Sequence, residues 1–322
     1  MTTMMPDGDL ELRSRVPATA AGLSLIEYLL QRFRYHDRAT WLREIADGRV
    51  CHGDRVLAAD AVMATGMRLT YRRTHHEPPV DTNVEVLHHD DALVVVRKPA
   101  HLPMHADGPF VRHTLIHLAR TRLGRPDLHL VHRLDRETSG LCVLAQTAPV
   151  RDALRQQFAS GSVHKAYLAV VRGRVAGDFE VDLPIGRSRH SEIALRRAAG
   201  TDAEPAEQRP ARTVFRLLRR SAERSLLRCE PQTGRTHQIR VHLEAAGHPL
   251  LGDKLYGRPD ADYLAFVARV KAGGLADEVA PGEPDRQLLH AAELAFLHPR
   301  SGATVRFVDP LPSAFESWLD PA

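Results

Sequence analysis

Cysteine is scarce: Cys51, Cys142 and Cys229 stand singly in a chain of 322 residues. Without a Cys-x-x-Cys or any pairing pattern, the thiols argue against a disulfide framework and fit a reducing compartment, the cytoplasm. Long apolar runs are missing too. Ala92–Val96 is among the longest, and it has strand length, far short of a bilayer span, so no membrane partner is expected. Met1 to Arg15 alternates polar and charged residues without an apolar core, unlike a secretory signal. No phosphate-cradling Gly-rich loop, Gly-x-Gly-x-x-Gly or Gly-x-Ser-x-Gly run occurs, which removes support for nucleotide-driven and serine-hydrolase chemistry. Histidines are plentiful at 19, yet none has ligand spacing. Pro103 interrupts His101 and His105, His88 and His89 are adjacent, and His237 and His242 are five apart. Neither a metal nor a cofactor is expected.

What is present fits a soluble two-domain protein, with 43% hydrophobic and 26% charged residues. Arginine far outnumbers lysine, and a net charge of +4 with a pI near 9.1 is a weak pointer to nucleic acid. Residues 1–21 read as a flexible leader. Ser24-x-x-Glu27 is a capping box, and Leu25, Ile26, Leu29, Leu30 and Phe33 form a helical stripe. A second short helix carries Trp41, Leu42 and Ile45, followed by strands near Val50 and Arg68–Tyr71. Arg32, Arg34, Arg38 and Arg43 give these helices a basic face. Pro78-Pro79 closes a linker over 74–80. From 81 to 322 strands and helices mix without a βα rhythm, an α+β pattern. Two stretches, 198–210 and 260–287, read as mobile inserts, the second with a helix over Tyr263–Val270.

The chemistry concentrates in His132-Arg-Leu-Asp-Arg-Glu-Thr-Ser-Gly-Leu141. Asp135 lies between Arg133 and Arg136 ahead of a Thr138-Ser139-Gly140 turn and an apolar strand. Two flanking arginines would hold a partly buried aspartate ionised, as a carboxylate nucleophile requires. An isolated Arg-x-Asp-Arg is equally a surface turn. Tyr167 follows a Lys165-x-Tyr step in a strand, where a tyrosine is ordinarily core. In the run Thr233 to Leu243, Arg240 sits one helical turn from Glu244 and could simply pair with it.

The run from His132 to Leu141 resembles the signature of RluA-type pseudouridine synthases, with the family's catalytic aspartate falling on Asp135. The Thr233–Leu243 block and the Leu289-His290 to Pro299 segment match as well, so the resemblance spans about 81–322. Arg97-Lys98-Pro99 departs from it: Arg97 stands for Asn and His101 for Gly, which removes a permissive backbone position and predicts an altered loop. Residues 22–73 resemble an S4-type RNA-binding domain, with His52-Gly53 for the usual Asn-Gly.

The resemblance implies a pseudouridine synthase fold, a bent, mixed and mainly antiparallel sheet crossed by an RNA cleft, preceded by a small S4-like α/β domain. It implies that specific uridines of structured RNA, ribosomal or transfer, are flipped out and isomerised, a reaction that needs no cofactor because the product is an isomer. Apart from the resemblance, the expected setting is the cytoplasm, no obligate protein partner is evident, and a monomer is the default. Asp135, Tyr167 and Arg240 would be catalytic, with Arg235 second choice for the basic partner. Arg133, Arg136, Lys98, Lys165, Arg235 and His237 would contact RNA or aid flipping. Asp135 acts at C1′ as nucleophile or through a glycal-like intermediate, and the sequence leaves both open. Two rivals remain: a non-catalytic RNA-binding ribosome-assembly factor, and a hydrolase needing a second carboxylate, for which Glu137 and Asp253 are available.

Overall fold

Ser24 starts the first helix as its capping box dictates: its Oγ accepts the Glu27 N–H, and Glu27 accepts the Ser24 N–H at 2.9 Å. That helix, α1 (Leu25–Arg32), packs beside α2 (Arg38–Ala46), whose cap Asp37 accepts the Thr40 N–H at 2.8 Å. Both belong to the first of two units, Met1–Pro78 and Pro79–Ala322, of a computed structural model that describes residues 2–4, 9–74, 77–271 and 282–319. The helices bury Leu25, Ile26, Leu29, Trp41 and Ile45 against an antiparallel sheet. Its order is β1 (Thr2–Met4), β2 (Asp9–Arg15), β5 (Arg68–Thr74), β3 (Val50–His52) and β4 (Arg55–Val56).

The expected flexible leader over 1–21 needs correcting at its second half. Asp9–Arg15 pairs with β5 residue for residue, from Asp9 with Thr74 to Arg15 with Arg68. The physical cause is a period-two alternation: Leu10 is buried, Val16 is buried in the helix-facing core with Leu12 packed against it, and Ser14 Oγ lies 2.9 Å from Tyr28 Oη.

In the second unit the strands are β6 (Glu85–His89), β7 (Leu93–Lys98), β8 (His129–Leu130), β9 (Ser139–Ala145), β10 (His164–Arg172) and β11 (Phe179–Asp182). After a separate pair, β12 (Ile185–Arg187) with β13 (Arg197–Ala199), come β14 (Arg212–Arg220), β15 (Arg224–Pro231), β16 (Leu289–Leu297) and β17 (Thr304–Val308). Among the described residues they form one large sheet in the order β11-β14-β15-β10-β16-β9-β7-β6, with β8 beside β9 and β17 beside β16. Every pairing is antiparallel except β16 with β9. Helices α3 (Leu115–Leu123), α4 (Ala148–Ser160), α5 (Gln238–Ala245), α6 (Asp260–Lys271) and α7 (Ser313–Leu319) complete the unit. The α+β class with a mixed, mainly antiparallel sheet is therefore as expected.

β9 is buried along its whole length, which is why it reads as a continuous apolar run. Its parallel junction with β16 sets Gly140 against Ala291 at φ 109°, where a Cβ would run into the Ala291 backbone. Gly140→Ala is expected to cost at least about 3 kcal/mol, or to leave the protein insoluble. A denaturation midpoint unchanged from the wild type would show that the two strands can part without loss.

The first insert is built into the fold, contrary to the expected mobile loop over 198–210. Ala203 is fully buried, Gln208 Nε2 donates to the Gly200 and Ala203 carbonyls at 2.9 and 3.2 Å, and Ile185, Ile193 and Ala211 pack on Val241, Leu255 and Tyr256. Short Pro- and Gly-led turns supply this order, and no apolar period announces them. In the second insert α6 contains the helix expected over Tyr263–Val270. Residues 272–281 of that insert lie outside the described residues, while Arg286 and Gln287 are buried rather than mobile.

Candidate active site

Asp135 stands on the turn between β8 and β9, where its carbonyl accepts the Thr138 N–H at 3.1 Å. Its carboxylate borders a cavity of 870 Å³ whose walls include Tyr167, Lys165, His237 and Arg240. That volume is of the size that holds a small organic ligand. Arg240, on α5, donates from Nη1 to Asp135 Oδ2 at 2.9 Å. Its other edge is clamped by Asp253, from Nε to Oδ2 at 2.7 Å and from Nη2 to Oδ1 at 2.9 Å. The guanidinium also lies 4.8 Å from the centre of the Tyr256 ring. Asp253 Oδ1 further accepts the Leu255 and Tyr256 N–H groups.

Burial alone would push the Asp135 carboxyl up, but the Arg240 charge and the hydrogen bonds from Arg240 and Gln287 hold it below the ordinary carboxylate range. Asp253 behaves alike, with burial opposed by Arg240 and by backbone N–H groups. Arg240 is buried, yet its two carboxylates keep it firmly protonated. The Arg240–Glu244 pairing open from spacing does not form, because Glu244 accepts from Arg196 at 2.7 Å and from the Gly257 N–H.

Tyr167 is half-buried on β10 and lines the cavity, beside a bulge between Ala166 and Tyr167 in the pairing with β16. Burial, then the Asp135 charge, raise its hydroxyl pKa, so the phenol stays protonated. Lys165 is buried, donates to the Thr233 carbonyl at 3.2 Å and has its pKa lowered by burial. Arg133 is exposed on the cavity wall and has no bonded partner among the described residues. Arg235, also exposed there, donates to the Pro210 carbonyl at 3.0 Å.

Three expectations change. Arg133 and Arg136 do not hold Asp135 ionised: Arg136 is 3.6 Å from Glu137 and lies over the Phe110 ring, so the charge partner comes from Arg240, distant in sequence. Lys98 is not at the surface, where an RNA contact would need it. It is fully buried, with Nζ donating to the carbonyls of Pro99, Leu102 and Arg136 at 2.9, 2.8 and 2.9 Å. Burial draws its pKa down to about 7, while three carbonyls match the three protons of an ammonium. Finally, His101 in the place of the expected glycine keeps a glycine-like backbone at φ 60°, with Nε2 3.1 Å from Asp285 Oδ2.

Lys98→Met is thus expected to lower stability by roughly 2–4 kcal/mol, since three buried carbonyls lose their donor. RNA affinity should be unchanged. A variant as stable as the wild type but weaker on RNA would put Lys98 at the binding surface.

Gln287, buried at the entry to β16, is a residue the motifs did not single out. Its Nε2 donates to Thr138 Oγ1 at 2.9 Å and lies 3.4 Å from Asp135 Oδ2. Arg286 beside it donates to the Glu137 carbonyl at 3.1 Å. Glu137 in turn accepts from Lys254 at 2.6 Å and from the Gln287 N–H at 3.2 Å. Glu137 and Asp253 are both engaged, so neither stands ready as the second acid or base of a hydrolase. Among the described residues no His, Cys, Asp and Glu cluster could hold a metal, and no helix is long and apolar enough to cross a membrane.

Residues 92–245 match the family model described as RNA pseudouridylate synthase. The ribosomal large subunit pseudouridine synthase D of Neisseria meningitidis is 34% identical over 309 residues, covering 92% of this chain and 78% of the relative. RNA pseudouridine synthase 7 of Arabidopsis thaliana is 32% identical, over 82% of this chain and 68% of its own length. Among solved structures, human RNA pseudouridylate synthase domain containing 1 superposes with a TM-score of 0.58 at 26% identity, over 76% of this chain and 89% of that one.

Proposed function

The chain belongs to the RluA-type RNA pseudouridine synthases and isomerises uridine in RNA, and from that premise we propose that its substrate is ribosomal RNA and that Asp135 performs the chemistry. The choice of ribosomal RNA is supported by the Neisseria relative, named for the large ribosomal subunit. The observation that carries the role of Asp135 is its asymmetry. Oδ2 is occupied by Arg240 and Gln287, while Oδ1 has no hydrogen-bond partner among the described residues. An ionised carboxylate with one free oxygen at a nucleotide-sized cavity suits attack at C1′ or removal of the C2′ proton.

The reaction balances without an external reagent. The N1–C1′ bond breaks, uracil turns within the cavity, C5 bonds to C1′, and the proton lost from C5 is matched by one gained at N1. Arg240 keeps Asp135 charged and oriented. Tyr167, as a neutral phenol, packs against the base, a contact of the kind that contributes about 1–3 kcal/mol. Arg133, unpartnered at the cavity wall, suits the space a flipped nucleotide vacates, and Arg235 suits a phosphate. Extruding the uridine costs a few kcal/mol, least in loops. In the first unit, exposed Arg32, Arg34, Arg38 and Arg43 support an S4-like, sequence-independent RNA contact.

Pseudouridine mapping of ribosomal and transfer RNA transcripts incubated with the protein tests this reading. New pseudouridine at defined uridines of ribosomal RNA is expected. Modification confined to transfer RNA would overturn the substrate, and none on either would overturn the reading in favour of the assembly-factor alternative.

A further inference from the structure

The free oxygen of Asp135 faces an imidazole. His237 Nε2 lies 3.9 Å from Oδ1, on the cavity wall and immediately before α5. The residue holds φ 58° and ψ 19°, a left-handed conformation that residues with a Cβ disfavour and that recurs at functional sites. Only His101 shares a positive φ among the described residues other than glycine.

The proton on His237 can be placed by accounting for its partners. Tyr256 is buried, and its Oη accepts the Arg197 N–H at 3.1 Å. Its own proton has one acceptor within reach among the described residues, His237 Nδ1 at 2.8 Å. Tyr256 therefore donates to Nδ1, and the imidazole proton sits on Nε2, the nitrogen nearer Asp135. Burial, then the Arg240 charge, draw the His237 pKa down to about 4, so the ring is a neutral, single donor at physiological pH. Positive charge at this point would compete with Arg240 for Asp135, and a neutral donor does not.

Resting on the role proposed for Asp135, the chemistry at Oδ1 fixes what His237 meets. If Oδ1 attacks C1′, the 2′-hydroxyl is on the adjacent carbon; if it takes the C2′ proton, the hydroxyl is on that same carbon. Either way the hydroxyl comes within a few ångströms of Oδ1, where Nε2–H stands. We infer that His237 donates Nε2–H to the 2′-hydroxyl of the target nucleotide and thereby selects ribose over deoxyribose. Tyr256 is the positioning residue that fixes the tautomer, and Arg197 at the start of β13 supports it.

The test uses a short RNA stem-loop carrying the modified uridine and the same strand with 2′-deoxyuridine at that single position, read as single-turnover pseudouridine formation. Wild type is expected to slow roughly ten- to a hundredfold on the deoxy position, as when a site built around a hydroxyl loses it. His237→Asn keeps a side chain tolerant of the left-handed backbone but removes the ring. It should lose a comparable factor on the ribose strand and then discriminate by less than about threefold, the signature of a pair acting together. Tyr256→Phe keeps the ring over Arg240 and should give intermediate discrimination, so the question stays answerable if the first variant folds poorly. A His237→Asn or Tyr256→Phe protein that still slows as much as wild type on the deoxy strand overturns the inference. A wild type that makes no pseudouridine on the ribose strand would instead defeat the proposed function itself.

Discussion

Asp135→Asn is expected to abolish pseudouridine formation, by about three orders of magnitude or more in single-turnover rate, while the protein stays folded and binds RNA as tightly as before. The amide keeps the shape of the side chain and removes its charge. Arg240 loses one bond but retains the bidentate grip of Asp253, so no buried cation is stranded. Rate and affinity should therefore separate cleanly. A variant within tenfold of wild-type rate would move the chemistry to another group.

Arg240→Met should be nearly as damaging to the rate and far more damaging to the fold. Asp253, fully buried, and Asp135 both lose their counter-charge, a change that typically costs 3–5 kcal/mol, of which about 3 is a fair expectation here. Its pH dependence has a definite sign. Both carboxyls sit below their ordinary range in the folded protein, so they contribute stability above the unfolded value, near pH 4, that is lost as pH falls through the folded one. Without Arg240, burial dominates and raises both. The variant is then weakest at neutral pH and approaches the wild type as acid protonates the pair. Chemical denaturation from pH 7 down to pH 4 measures this, and a gap that stays constant would mean Arg240 does not set these charges. Arg240→Met with Asp253→Leu should regain much of the stability without regaining rate, because only the structural half of the cluster is replaced.

What could be read in the chain was local. His132 to Leu141 encodes a turn and a fully buried strand within ten residues, and Gln238 to Ala245 carries Arg240 on a helix whose face is set by Ile239 and Leu243. What could not be read depends on partners remote in sequence. Asp253 and Gln287 reach the Asp135–Arg240 pair from other elements, and no spacing rule ties them to it. Lys98 looked like an RNA contact because lysine is seldom fully buried, and only the three carbonyls around it show why this one is. The strand at Asp9–Arg15 shows in its alternation, while its charge and its place near the N-terminus point to a flexible segment. His101 hides the opposite lesson, since a substitution that breaks a glycine rule left the glycine's backbone angle in place.

The parallel junction of β9 with β16 also orders events in time. A nascent chain that has emerged as far as Gly257 already carries Asp135, Tyr167, Arg240 and Asp253, yet the turn bearing Asp135 still lacks its neighbours from Arg286 to Ala291. With β16 absent, β9 has an open edge and Thr138 has no Gln287 to hold it. An incomplete chain therefore carries these side chains without the contacts that fix the Asp135 turn, and the cluster is completed only late in synthesis, when β16 emerges and locks the rest.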